Sequence, residues 1–183
     1  MSRANRMRTE WFLHDIPHER NAAAALRDGM QLERSKTVSK KLLAKVSTSV
    51  DADRAEVWSA LTDPEAIKEY MFGTNVSSQW REGSSIVWKG EFKGKAYEDK
   101  GKILKIDPEK TLKYSHFSAL SGKPDRPENY HTVTIELSDV GESTGLSLTQ
   151  DNNASEEARE ESQRNWAMML DGLKKYVESR STH

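Results

Sequence analysis

Residues 51–73 read DADRAEVWSALTDPEAIKEYMFG, and two helix starts are crowded into them. Asp53 is a good N-cap. Glu56, three positions on, completes a capping-box pair in which each side chain takes the other residue's backbone N–H. Val57, Trp58 and Leu61 give the helix that follows its apolar side. Asp63 opens a second helix, with Pro64 in the first helical position, where a missing N–H costs nothing. Ile67, Tyr70 and Met71 fall at i, i+3 and i+4 and form one stripe. Gly73 closes the run. Helices this short are marginal alone, so two placed end to end must be held by a larger surface.

That surface is legible on both sides. Upstream, Leu42, Ala44, Val46, Thr48 and Val50 alternate with mostly Lys and Ser, the pattern of a half-buried strand. Downstream, SSIVWKGEF (84–92) and YEDKGKILKID (97–107) flank KGK. DPEK (107–110) reads as a turn with proline second, and KTLKYSHF follows. After a loop containing Pro124 and Pro127, YHTVTIELS and GLSLTQDN are joined by DVGEST, where Gly141 suits a hairpin turn. A long helix, SEEAREESQRNWAMMLDGLKKYVES (155–179), comes last. Ser155 caps it, and Glu156, Glu157, Glu160 and Glu161 sit near the positive end of its dipole. Trp166, Met169, Leu170, Leu173, Tyr176 and Val177 form its apolar stripe. The predicted order is β-α-α-β-β-β-β-β-α. It is an α+β chain whose meander-like strands are antiparallel and whose long helix buries its stripe against them.

Strand register predicts which side chains share the inner face. If Asp107 opposes Lys110, Tyr114 faces Ile103 and His116 faces Gly101. A hairpin centred on Gly141-Glu142 sets Leu137 against Leu146, Ile135 against Leu148 and Val133 against Gln150. Across the long loop, Leu112, Tyr114 and His116 match Ile135, Val133 and His131. The inner face then grades from an apolar level (Leu112, Ile135, Leu148) to a polar one (His116, His131, Asn152), with Tyr114, Val133 and Gln150 between. Asp99 falls one diagonal step from His116. Buried polar groups cost about 1–3 kcal/mol each when unpaired, so water, each other or a ligand must satisfy these. A solvated rim meets that need as well as a ligand does.

The totals narrow the function classes. The chain has 183 residues, 35% apolar, 31% charged and 8% aromatic, with net charge −1. That supports one domain plus a tail and gives no electrostatic reason to expect nucleic acid. The absence of cysteine excludes thiol catalysis and fits a reducing, cytoplasmic setting. No apolar run approaches the ~18 residues of a membrane span. Residues 1–36 lack a sustained period and read as a partly helical or disordered extension, in which Trp11 and Phe12 are the candidates to dock. The domain proper is expected to cover 37–183. His14 and His18 are four apart, but Pro17 breaks the helix that would align them on a metal. No phosphate loop, G-x-S-x-G or H-E-x-x-H occurs. No cofactor, metal or catalytic residue is assigned.

Four segments, VDADRAEVWSALTDPEAIKEYM, KILKIDPEKTLKYS, TVTIELSDVGESTGLSLTQ and NWAMMLDGLKKYVES, occur in order at a spacing that resembles the activator of 90-kDa heat-shock-protein ATPase homologue family. That family is a branch of the START-like (Bet v 1-like, SRPBCC) superfamily, and the resemblance covers roughly residues 38–179. It implies a helix-grip fold: a curved antiparallel sheet wrapped around the C-terminal helix, two short helices plugging one gap, and an internal cavity. The plug is what the opening stretch is for. The implied function is non-enzymatic binding of a small hydrophobic molecule. Alternatives are a chaperone-activator-like protein-interaction module, with a stress-response setting, or a small cyclase or lyase. Candidate ligand-binding residues on the sheet are Trp88, Ile103, Tyr114, His116, His131, Val133 and Gln150. Trp58 and Tyr70 from the short helices, and Trp166, Met169 and Leu170 from the long one, complete the set.

Overall fold

A computed structural model describes residues 42–92 and 94–181. The expectations for the N-terminal extension, including its boundary at residue 36, lie outside the described residues. The elements are β1 (Ala44–Val50), α1 (Arg54–Thr62), α2 (Pro64–Tyr70), β2 (Asn75–Ser78), β3 (Ser85–Phe92), β4 (Lys95–Asp107), β5 (Thr111–Ser118), β6 (His131–Val140), β7 (Ser143–Gln150) and α3 (Glu156–Glu178). They form the expected α+β arrangement. A seven-stranded antiparallel sheet, in the order β1-β7-β6-β5-β4-β3-β2, carries α3 on its inner face. β2 was not anticipated. Its four residues, NVSS, bury only Val76, too short and too polar a stretch for alternation to show.

The corner between α1 and α2 rests on one residue. Asp63 has extended backbone (φ −88°, ψ 118°) and both closes α1 and opens α2. Its N–H donates to the Ser59 carbonyl at 2.8 Å, and its carboxyl accepts from the Glu65 N–H at 3.1 Å. Pro64 disfavours a helical residue before it, which enforces the break. The capping box is present as predicted, with Glu56 N–H on Asp53 Oδ1 at 2.8 Å and Asp53 N–H on Glu56 Oε2 at 3.3 Å. Val57, Ala60 and Leu61 bury from α1; Ala66, Ile67 and Tyr70 bury from α2. Trp58 is only half-buried at the margin of the core.

α3 is seated on α2 through the C-terminal part of its stripe. The Tyr70 hydroxyl donates to the Ala60 carbonyl at 3.3 Å, and its ring lies 6.3 Å from that of Tyr176. At Gly172 the helix passes close to α2: a Cβ there would sit 3.2 Å from the Tyr70 carbonyl oxygen. The β1 edge is covered by side chains of α3. Gln163 Nε2 donates to the Lys45 carbonyl at 3.0 Å and Lys174 Nζ to the Ser49 carbonyl at 2.6 Å. Asp51 N–H donates to Glu178 Oε1 at 2.9 Å. Two outward carbonyls of β1 are thereby occupied, which blunts that edge against a foreign strand.

Register matches the expectation across β5, β6 and β7, including His116 against His131. At the β4–β5 turn it differs. Asp107 opposes Thr111 rather than Lys110, and a β-bulge between Ile103 and Lys105 absorbs one residue on β4. Leu104 is the residue left over and is 46% exposed. The two offsets cancel, so Ile103 still faces Tyr114.

Candidate functional site

Along the inner face, Leu112, Ile135 and Leu148 are buried and dry. One step on, Tyr114, Val133 and Gln150 mark the transition. Beyond them the sheet and α3 part around a cavity of about 230 Å³. Trp88, Tyr114 and Trp166 contribute aromatic wall; Asp99, His116, His131, Gln150 and Asn153 are among its polar lining. The segment Met71–Thr74 and the residues Leu120 and Ser121 lie over it.

Of the predicted site residues, Trp88, Tyr114, His116, His131, Gln150 and Trp166 line this cavity. Ile103, Val133, Met169, Leu170 and Tyr70 do not; they belong to the packed core. Met169 and Leu170 lie a helical turn beyond Trp166, and the Tyr70 hydroxyl is engaged by α1. Trp58 sits at the core margin, also away from the cavity. Asn152 is likewise elsewhere. It takes a left-handed backbone (φ 59°), which asparagine tolerates, and donates to the Glu128 and Tyr130 carbonyls at 2.8 and 3.0 Å. That kink breaks the alternation and turns Asn153 inward instead, where it is 2% exposed. Plain strand alternation, carried past Gln150, put Asn152 on the inner face and could not show this kink.

The inner end is a closed network. Trp166 Nε1–H donates to Gln150 Oε1 at 2.7 Å. Because an indole N–H only donates, this fixes the amide orientation. Gln150 Nε2 donates to Asn153 Oδ1 and Ser162 Oγ, both at 3.1 Å, and Ser162 Oγ donates to Asn153 Oδ1 at 2.8 Å. Both ends of the Gln150 amide are thus spoken for. His131 Nδ1 lies 2.9 Å from the Asp151 carbonyl oxygen, an acceptor only, so that nitrogen carries the proton. Its 3.5 Å approach to Gln150 Nε2, also a donor, is then a contact and not a bond.

The outer end is less complete. His116 Nε2 meets Asp99 Oδ2 at 3.2 Å, the pairing that the diagonal spacing suggested. The His116 ring stands edge-on to Trp88 at 5.2 Å and lies 6.5 Å from the His131 ring. Asp99 is 4% exposed, and its second oxygen, Oδ1, has no hydrogen-bond partner among the described residues. Burial raises the Tyr114 phenol well above its ordinary pKa and keeps it neutral. Tyr97 lies flat on Gly90, where a Cβ would come within 2.6 Å of its hydroxyl. That hydroxyl meets Thr74 Oγ1 at 2.9 Å, and Thr74 Oγ1 donates to the Met71 carbonyl at 2.8 Å, which ties the segment over the cavity to β4. Chemically, the site offers an apolar pocket, one unsatisfied carboxyl oxygen and a histidine oriented by a carboxyl group. Among the described residues no cluster of metal-ligand type occurs.

Residues 51–178 match the family described as Activator of Hsp90 ATPase homolog 1-like protein. The chain belongs to that family. Within its fold, ChR145 from Cytophaga hutchinsonii, known from a solution structure, is 55% identical over 77% of this chain and 97% of its own, with a TM-score of 0.69. The crystal structure of CalU16 from Micromonospora echinospora is 28% identical over 75% of this chain and 77% of its own, with a TM-score of 0.58. The Aha1 dimer from Colwellia psychrerythraea, at 22% identity over 74% of this chain and 96% of its own and a TM-score of 0.58, shares the fold. No curated protein matches the chain. The helix-grip architecture of the family accounts for the two short helices: they close one end of the space between sheet and α3. Among the described residues no helix is long and apolar enough to cross a membrane.

Proposed function

We propose that this protein binds a small, mostly apolar molecule between its sheet and α3, without chemical change. The cavity carries the reading. At about 230 Å³ it exceeds the ~150 Å³ that admits benzene in a protein interior. Its aromatic wall with polar groups placed at either end fits the usual make-up of ligand pockets. Native mass spectrometry of protein purified without denaturant tests it. The expected result is an added mass that is lost on organic extraction. A bare polypeptide mass, with no thermal shift from a panel of bicyclic aromatics, would sink the reading.

One observation favours a second reading. A histidine oriented by a buried carboxyl group is the arrangement of a general base, and the Asp99–His116 pair supplies it at 3.2 Å. If the molecule is turned over, the extracted ligand differs from the one supplied, and His116→Phe lowers turnover about 100-fold or more. The family description raises chaperone-ATPase stimulation as a third role. The large exposed apolar residues are Leu43, just before β1, Leu104 on β4 and Val140 on β6; they lie on separate parts of the chain and give that role no specific support.

A further inference from the structure

We infer that Asp99 selects ligands bearing a hydrogen-bond donor, an O–H or N–H on a flat aromatic body; this rests on the cavity-binding reading above. Asp99 is a cavity-lining carboxyl group with a side chain only 6% exposed. Its Oδ2 is occupied by His116. Its other oxygen, Oδ1, is buried and has no hydrogen-bond partner among the described residues. A buried acceptor left unpaired is costly, more so when it is charged. A ligand donor removes that cost, and a ligand that offers only an acceptor adds lone-pair repulsion. The neighbouring surface sets the rest of the ligand. Trp88 and Tyr114, 5.2 Å apart and inclined at 47°, present ring area beside Asp99, and an aromatic body packs there in offset or edge-on contact.

The probes are 2-naphthol and 2-methoxynaphthalene, which share a ring system and differ in the donor. Isothermal titration of the full chain should show 2-naphthol binding about tenfold tighter or more, the effect of one buried hydrogen bond. In Asp99→Asn the His116 N–H keeps the amide oxygen and the NH2 group turns to the cavity, so the preference should vanish while 2-methoxynaphthalene still binds. Because that variant could fail to fold, the parent protein labelled with carboxyl-13C aspartate gives an independent readout. The Asp99 resonance should move with 2-naphthol and stay with 2-methoxynaphthalene. Equal affinities in the parent, or a preference that persists in Asp99→Asn with the Asp99 resonance unmoved, would overturn the donor assignment and leave the cavity reading standing. Binding of neither probe, together with the bare polypeptide mass named above, overturns both.

Discussion

The two ends of the sheet's inner face are built from the same strands and obey opposite rules. At one end Leu112, Ile135 and Leu148 lie side by side across β5, β6 and β7, each no more than 3% exposed. At the other, His116 pairs with His131 across β5 and β6, and the space above them is a cavity. The dry end gains stability with every buried methylene. The wet end gives some of it up, because polar groups held out of water return little even when paired. A sheet selected for stability alone would extend the dry pattern. The contrast therefore marks the wet end as the candidate site, and it can be broken or sharpened by substitution.

The largest expected effect lies where the two ends meet. A Cβ on Gly101 would fall onto the Ser115 carbonyl oxygen, which is backbone and has nowhere to go. Gly101→Ala should prevent β4 from pairing with β5, and thermal melting should lose its cooperative transition. A melt like the parent's would show that the strands can separate locally at this point.

Next comes the dry end. Leu148→Ala opens a hole in a region fully shielded from water and should cost about 2–5 kcal/mol. The denaturant midpoint should fall with an unchanged slope. Gln150→Leu, at the boundary, should cost about 1–3 kcal/mol, because the Trp166 N–H and the Asn153–Ser162 pair lose their partner. A neutral result would mean that water replaces the amide and that the wet end reaches deeper than the network suggests.

The smallest effect is one of pH and touches only the wet end. The loop 119–130 carries Leu120 and Ser121 to the cavity and is fastened by Asp125, which pairs with Lys100 and accepts from the Tyr130 hydroxyl at 2.8 Å. Lys100 first, then Tyr130, holds the Asp125 carboxyl below its ordinary value. A depressed folded pKa means that the contribution is present above the ordinary carboxyl value and is lost as pH falls through the depressed one. Amide exchange in 119–130 should therefore rise on acidification relative to β6 and β7. Asp125→Asn should reproduce the rise at neutral pH. Both groups are solvent-exposed, so the effect should be small and should fade with salt.

Much of this was legible because strands and caps obey local rules. Alternation from Leu42 to Val50, the Asp53–Glu56 pair and the stripe of α3 each depend on neighbours close in sequence. Register was legible because Leu, Ile and Val must face one way on both strands of a pair. The β-bulge at Leu104 has no signature in KILKID, and only its cancellation against the turn offset preserved the inner-face assignment. The cavity-lining stretch Met71–Thr74 and the inward turn of Asn153 were not legible. Phe72 and Asn152 take left-handed backbone (φ 56° and 59°), and tertiary packing decides which residue of such a run does so. The same limit separates Trp88 from Trp58: aromatic content is in the sequence, but which wall each ring joins is settled by the path of the chain.

The covered β1 edge has a consequence in time. β1 is the first strand of the sheet, yet its partner is β7, and its free edge is held by Gln163, Lys174 and Glu178. Those contacts span 118, 125 and 127 residues of sequence. During synthesis, β1 must wait unpaired while the six other strands and then α3 emerge from the ribosome. At ~5–20 residues per second, that wait lasts several seconds or more. Every second side chain of KVSTS is Lys or Ser, so the waiting strand is half polar. Polar and charged side chains on an unpaired strand disfavour its pairing with a foreign edge.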